Sequence, residues 1–226
     1  PVLSSAASDV YKRQYIDGDK ESILQDAIVS CDELKLNFET IFANTNTSYD
    51  PDEAGRSSGK TGSDIERILA FHAIGREDPV EYQDDWSEVL SHALAIESKY
   101  MDKVYREKLT EIQYQVTRNS ATERAFTGIY DKHFETGNYH CVCCGKLLFS
   151  STGKYNSGCG WPAFHTEDGN ANISRINDYS HGMVRVEVKC SKCDAHLGHV
   201  FDDGPLQYGG ERYCINSAAL EFRGDD

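Results

Sequence analysis

Cys141-Val-Cys-Cys144 and Cys190-Ser-Lys-Cys193 are two C-x-x-C units in a chain of 226 residues that holds eight cysteines. Two residues between thiols let a tight turn present both sulfurs to one ion. A pair of such turns completes the tetrahedral thiolate shell that Zn²⁺ prefers, with Zn–S distances of about 2.3 Å. A closed shell of four sulfurs leaves no position for water, so the one zinc ion expected at Cys141, Cys144, Cys190 and Cys193 is structural: it staples distant turns and substitutes for part of a core. Cys143 falls outside the two-residue spacing and reads as a bystander. Cys159 and Cys214 remain in the same half of the chain. Buried cysteine commonly behaves as a small hydrophobe. Cys159, however, lies between Gly158 and Gly160, which suits a loop, and Arg212 precedes Cys214 by two residues, where its charge favours thiolate. If 212–216 is a strand, Arg212, Cys214 and Asn216 project to one face, bringing together a cation, a nucleophile and an amide. His196 and His199 titrate near neutrality and could move protons there. These residues favour thiol redox chemistry, while a zinc-stapled binding module and another kind of thiol oxidoreductase stay open as rival readings.

The elements that must position these groups are set by periodicity. After residue 110 come short β-prone runs at 139–142, 147–150, 183–188, 199–201 and 213–215, separated by Gly, Asn and Asp clusters. The run MVRVEV alternates apolar with charged residues, the period of a half-buried strand. Before residue 110 the chain reads as helical. Ile23, Ala27, Cys31, Leu34 and Phe38 recur at spacings of three and four, predicting one helix over 20–43. Residues 44–62 form a polar linker. Ser63 and Glu66 then have capping-box spacing, with Ile65, Ile68, Leu69 and His72 on one face of a second helix. A third is predicted over 85–108, burying Trp86, Val89, Leu90, Ala93, Leu94 and Ile96. The fold class expected is therefore α+β: a small helical N-terminal segment followed by a β-rich, zinc-stapled domain. Residues 54–61 fit a relaxed phosphate-loop pattern, but no strand precedes them, so they read as linker.

The net charge of −14 repels phosphate backbones and argues against nucleic-acid binding. Residues 1–110 carry 12 Lys+Arg against 22 Asp+Glu, so the acidity belongs mainly to the helical part and suits a solvated surface. No apolar run approaches the ~20 residues needed to span a bilayer, so no membrane association is expected. Cysteines at metal spacing favour a reducing compartment, and the cytoplasm is the expected location. Residues 1–14, PVLSSAASDVYKRQ, read as a non-native leader.

RYCINSAALEF, SGCGWPAFH, SHGMVRVEV and CDAHLGHVFDDGP resemble the signature blocks of type-B methionine sulfoxide reductases, in that family's order, over residues 109–222. The resemblance implies a β-domain of two antiparallel sheets. It implies Cys214 as the attacking cysteine, Cys159 as the resolving one, and a disulfide between them as an intermediate. Trp161 would form an aromatic wall for the substrate methyl group, with Arg212 beside the nucleophile. His196, His199 and Asn216 would be active-site polar residues, and Cys141, Cys144, Cys190 and Cys193 the zinc ligands. The implied activity is reduction of methionine-R-sulfoxide, protein-bound by preference, with thioredoxin or a similar dithiol as reductant and a monomer as the working unit. One departure is Ala125 in TERAFTGIY, where the family usually has Pro. The expected organisation is thus a leader (1–14), an acidic helical segment (15–108), the reductase-like domain (109–222) and a tail (223–226).

Overall fold

A computed structural model describes residues 19–167 and 172–224; the expected leader and the end of the expected tail lie outside the described residues. The chain divides into two compact units, 1–101 and 102–226. The first unit is helical, with α1 (Asp19–Leu34), α2 (Phe38–Phe42), α3 (Gly62–Ala73) and the greater part of α4 (Trp86–Lys108). The single helix expected over 20–43 is broken in two. Lys35 adopts φ 57°, the Leu36 N–H donates back to the Cys31 carbonyl at 2.9 Å, and Asn37 then caps α2 by accepting from the Thr40 N–H at 2.6 Å. Helix α3 is opened by a capping box of Thr61 and Asp64 rather than Ser63 and Glu66. The Ser63 hydroxyl instead donates to the Thr47 carbonyl, and Glu66 pairs with Lys20. Leu24, Cys31, Phe38 and Phe71 form one apolar cluster and Ile65, Ile68, Val89 and Ala93 another. The Asp52 carboxylate takes the N–H groups of Ala54 and Arg56, at 3.0 and 2.8 Å, so these amides are not left to cradle a phosphate. No described helix is long and apolar enough to cross a membrane.

The division at Met101 and Asp102 falls inside α4, seven residues before the expected boundary at 108. The last turns of α4 belong to the second unit because they pack on α5 (Glu111–Asn119), a short helix that periodicity did not single out. Asp102 accepts from the Tyr114 hydroxyl, Arg106 lies over the Tyr114 ring, and Arg118 lies over buried Tyr105.

Nine strands among the described residues then build two antiparallel sheets, as expected of an α+β chain. β1 (Gly137–Cys141) lies between β2 (Leu147–Ser150) and β9 (Leu220–Gly224). The larger sheet runs β3-β4-β8-β7-β6-β5, with β3 Lys154–Tyr155, β4 Ala163–Phe164, β5 Ile173–Asp178, β6 Arg185–Cys190, β7 His196–Phe201 and β8 Arg212–Ile215. The two sheets meet through aromatic rings. Phe149 of β2 stacks on Phe164 of β4 at 4.3 Å, Tyr139 of β1 meets Phe164 edge-on, and Phe149 meets Tyr213. Each such pair adds about 0.5–1.5 kcal/mol beyond the area buried.

Strand β8 decides where the chemistry can sit. Tyr213 and Ile215 are fully buried in the inter-sheet core, so the period of two sends Arg212 and Cys214 to the opposite face. Gly198 on the neighbouring strand pairs with Ile215, and a Cβ there would stand 2.1 Å from the Cys214 carbonyl oxygen. Gly198→Ala should therefore displace β7 from β8, at a cost of about 1–3 kcal/mol typical of overpacking. Thermal unfolding checks this, and an unchanged melting temperature would mean that the strands do not approach so closely.

Candidate active site and metal centre

The two C-x-x-C turns have the same local structure. The N–H of Gly145 donates to the Cys141 carbonyl at 2.8 Å, and that of Asp194 to the Cys190 carbonyl at 2.9 Å. Gly145 and Asp194 both take positive φ, 73° and 54°, which closes each turn over its sulfur pair. The sulfurs of Cys141, Cys144, Cys190 and Cys193 all lie within 4.8 Å of one another, with Cys141–Cys193 at 3.7 Å and Cys144–Cys190 at 3.6 Å. Tetrahedral geometry with 2.3 Å bonds requires sulfur separations of about 3.8 Å, so the four cysteines fit a zinc ion. Flanking cations cover the turns: Lys108 Nζ donates to the Cys143 carbonyl and Arg118 Nη1 to the Cys193 carbonyl, each at 2.7 Å. Cys143 itself is buried outside the set of four.

The second cluster stands on the outer face of the six-stranded sheet. Cys214 pairs in register with Ala163 on one side and His199 on the other, and His199 pairs in turn with Glu187. Residues in register share a face, so Ala163, Cys214, His199 and Glu187 form one lateral row. Small Ala163 leaves room beside the Cys214 sulfur. Cys159 reaches that sulfur from the loop after β3, with an Sγ–Sγ distance of 3.7 Å. This is van der Waals contact between two free thiols, and a disulfide needs about 2.05 Å. The Ser157 hydroxyl donates to Cys159 Sγ at 3.0 Å, and the Cys159 thiol faces the Trp161 carbonyl at 3.4 Å.

Two histidine–carboxylate pairs border the row. His199 Nε2 lies 3.0 Å from Asp178 Oδ2, and His196 Nδ1 lies 2.6 Å from Glu187 Oε1. The rings of the two histidines meet edge-to-face at 5.5 Å. Hydrogen bonds from Ser180, then from His199, and lastly from Arg185 hold the Asp178 carboxyl far below the usual range. It is therefore an acceptor, and His199 Nε2 must be the donor. Burial lowers the pKa of His196 against the opposing pull of Glu187.

Trp161, Asn216 and Glu123 interlock. Gly160, at φ 91°, lies so close to Ala125 and Phe126 that an added Cβ would stand 2.9 Å from both. Its carbonyl accepts from the Phe126 N–H at 2.7 Å. The Trp161 indole N–H donates to the Glu123 carbonyl at 3.0 Å, while Asn216 Oδ1 accepts from the Glu123 N–H at 3.0 Å. The Asn216 amide donates to the Leu197 carbonyl. Both ends of the Asn216 side chain are therefore occupied, one on the Glu123 backbone that holds the Trp161 indole and the other on β7. Glu123, buried, takes the N–H groups of Ser217 and Ala218 on its two carboxylate oxygens.

Sequence reasoning brought together Cys159, Cys214, His196, His199, Asn216, Trp161 and Arg212. The structure puts Arg212, Cys214 and His199 on the sheet's outer face, Cys159 against Cys214 and His196 against His199, while Asn216, buried just beyond the end of β8, and Trp161 meet at Glu123. Sequence reasoning missed Glu123, Asp178, Glu187 and Asp203. The alternation of MVRVEV could have pointed to Glu187; the other three are visible only through tertiary contacts. Asp203 matters because it grips the Arg212 guanidinium through two bonds, at 2.8 and 2.9 Å. The cation expected to favour a Cys214 thiolate is thus already neutralised. Burial first, then the neighbouring Cys159 sulfur, push the Cys214 thiol up to about 12, and Arg212 opposes this only in part. So raised, Cys214 rests as the thiol.

Four clustered cysteines that fit a metal ion, together with a separate pair of thiols beside histidine–carboxylate pairs, define a metal-stapled thiol oxidoreductase. A SelR domain model matches residues 109–224. The chain is 56% identical over 128 residues to the peptide methionine sulfoxide reductase MsrB of Hahella chejuensis, covering 57% of this chain and 91% of that protein. It is 55% identical over 121 residues to the enzyme of the same name from Burkholderia thailandensis, covering 54% of this chain and 85% of that one. The chain belongs to the SelR family, the type-B methionine sulfoxide reductases.

Two outcomes are expected. Cys190→Ser should lose bound zinc and the folded state together, whereas Cys143→Ser should keep one zinc per chain by metal analysis. Cys159→Ser should lower the pH at which Cys214 is alkylated, because the neighbouring sulfur that helps to hold the Cys214 pKa up is gone. Mass-spectrometric alkylation rates at pH 8 should rise several-fold, and an unchanged pH profile would contradict the coupling.

Proposed function

We propose that residues 109–222 reduce methionine-R-sulfoxide, protein-bound by preference, to methionine. The observation that carries this reading is the 3.7 Å contact between Cys159 and Cys214 on a face that also presents His199. Cys214 sulfur attacks the sulfoxide sulfur, and the S–O bond breaks as oxygen passes to Cys214. The methionine sulfur gains two electrons and the cysteine sulfur loses two, leaving a sulfenic acid. The Cys214 proton ends on that oxygen, relayed by His199, whose ring stands beside Cys214 with His196 next to it. A protonated resting thiol suits this step, because the departing oxygen needs the proton. Cys159 then condenses with the sulfenic acid, releasing water and forming the Cys159–Cys214 disulfide. Thioredoxin or a similar dithiol reopens it by exchange.

Trp161, held by its indole N–H on Glu123, is the surface against which the methyl group packs, with Asn216 supporting it from behind. Arg212, tied to Asp203, lines with it and Cys159 an open cleft, which the substrate would enter. Cys141, Cys144, Cys190 and Cys193 would hold a zinc ion, which would supply rigidity rather than chemistry at the sulfoxide.

With a dithiol present, the enzyme should consume the R epimer of methionine sulfoxide and leave the S epimer. Equal consumption of both would overturn the reading. Cys214→Ser should lower turnover by at least about a thousandfold, as loss of a nucleophile does. Cys159→Ser should still release one methionine per enzyme in a single turnover while failing to recycle with thioredoxin.

A further inference from the structure

His196 is 2% exposed, and its Nε2 is buried with no hydrogen-bond partner among the described residues. A buried polar atom without a partner is rare and calls for an explanation. The other ring nitrogen has a short bond: Nδ1 lies 2.6 Å from Glu187 Oε1. Glu187 sits in register with His199, which sits in register with Cys214, so these three share one face. The His196 ring meets the first two, Glu187 through Nδ1 and the His199 ring edge-to-face at 5.5 Å. The second oxygen of Glu187 faces Lys189 Nζ at 4.0 Å. An ionised carboxylate only accepts, and a neutral imidazole has one N–H, so the proton stays on Nδ1 and Nε2 bears the lone pair. Burial disfavours the charged ring, against the pull of Glu187.

We propose that Glu187 is a positioning residue that locks His196 in the Nδ1–H form, so that the vacant Nε2 accepts a hydrogen bond from the hydroxyl formed when oxygen passes from substrate to Cys214. This rests on the reductase reading and divides the labour between the histidines. His199, whose Nε2–H is given to Asp178, relays the proton beside Cys214. His196 donates nothing. Its lone pair holds the new S–O–H group by the hydrogen, orienting it while the Cys159 thiol attacks the Cys214 sulfur and the oxygen leaves as water. No proton is gained or lost by His196 in either step.

The test is nitrogen NMR of the full-length, zinc-loaded, reduced protein labelled with ¹⁵N-histidine, the His196 signals being assigned by their absence in His196→Asn. Nε2 should resonate as a lone-pair nitrogen and Nδ1 as an N–H. Glu187→Gln, whose amide can donate as well as accept, should mix the two forms. It should also lower kcat by roughly tenfold or more with little change in KM, as misoriented histidines do elsewhere. A protonated Nε2 in the wild type would overturn the proposal, and so would a Glu187→Gln protein with unaltered signals and kcat. The protonation form is read without substrate. A protein that holds the Nδ1–H form yet reduces no sulfoxide would overturn the reductase reading, and the catalytic part of this proposal with it.

Discussion

Strand β8 is hydrogen-bonded along both edges, to β4 and to β7, and its inner face is clamped in an aromatic core. Tyr213 and Ile215 have no freedom to turn outward, so Cys214 has none to turn inward. A slip of one residue would bury the sulfur in the core and expose a tyrosine. The register of this one strand places the Cys214 sulfur between a small residue, Ala163, and a histidine, His199. Each other feature of the site is built outward from that row.

The metal centre works at a distance from the chemistry but on the same sheet. Cys190 ends β6, and the next residues of that turn lead directly into β7 with its two histidines. A metal ion clamping Cys190 and Cys193 to the turn after β1 would therefore fix where β6 ends and β7 begins, and with them Glu187, His196 and His199. A small two-sheet domain has little core to spare, and an ion held by these four cysteines would supply folding energy that packing alone does not. The last turns of α4, together with α5, add to this by laying Lys108 and Arg118 on the carbonyls of the two turns.

Electrostatics at the site run against the simplest expectation. A cation two residues from a cysteine in a strand does share its face, but sharing a face does not make it available. Asp203 holds Arg212 through both of its oxygens, and burial outweighs what field remains. The outcome is a thiol that keeps its proton until an acceptor arrives. That arrangement is compatible with reducing a sulfoxide, whose oxygen must be protonated on departure.

The local content of the sequence determined a good part of this. Spacing alone identified the four metal-ligating cysteines, because the geometry of a C-x-x-C turn is closed within a few residues. The period of two in 212–216 placed Arg212 and Cys214 on one face, because alternation is a local property of the extended backbone. Runs at 139–142, 147–150, 183–188, 199–201 and 213–215 marked five of the strands, though β3 and β4 are too short, and β5 too polar on both faces, to be marked by periodicity. The break at Lys35 was not legible either, since nothing in its residue type demands a left-handed conformation. Only the tertiary structure could bring Cys159 to Cys214, seat Asn216 and Trp161 on opposite sides of one Glu123 residue, give Asp178 and Glu187 to the two histidines, and take Arg212 away to Asp203. These are contacts between residues far apart in the chain or on neighbouring strands. They depend on which strand pairs with which and in what register, and that is settled by burying the aromatic core of the whole domain, not by any residue's neighbours in sequence.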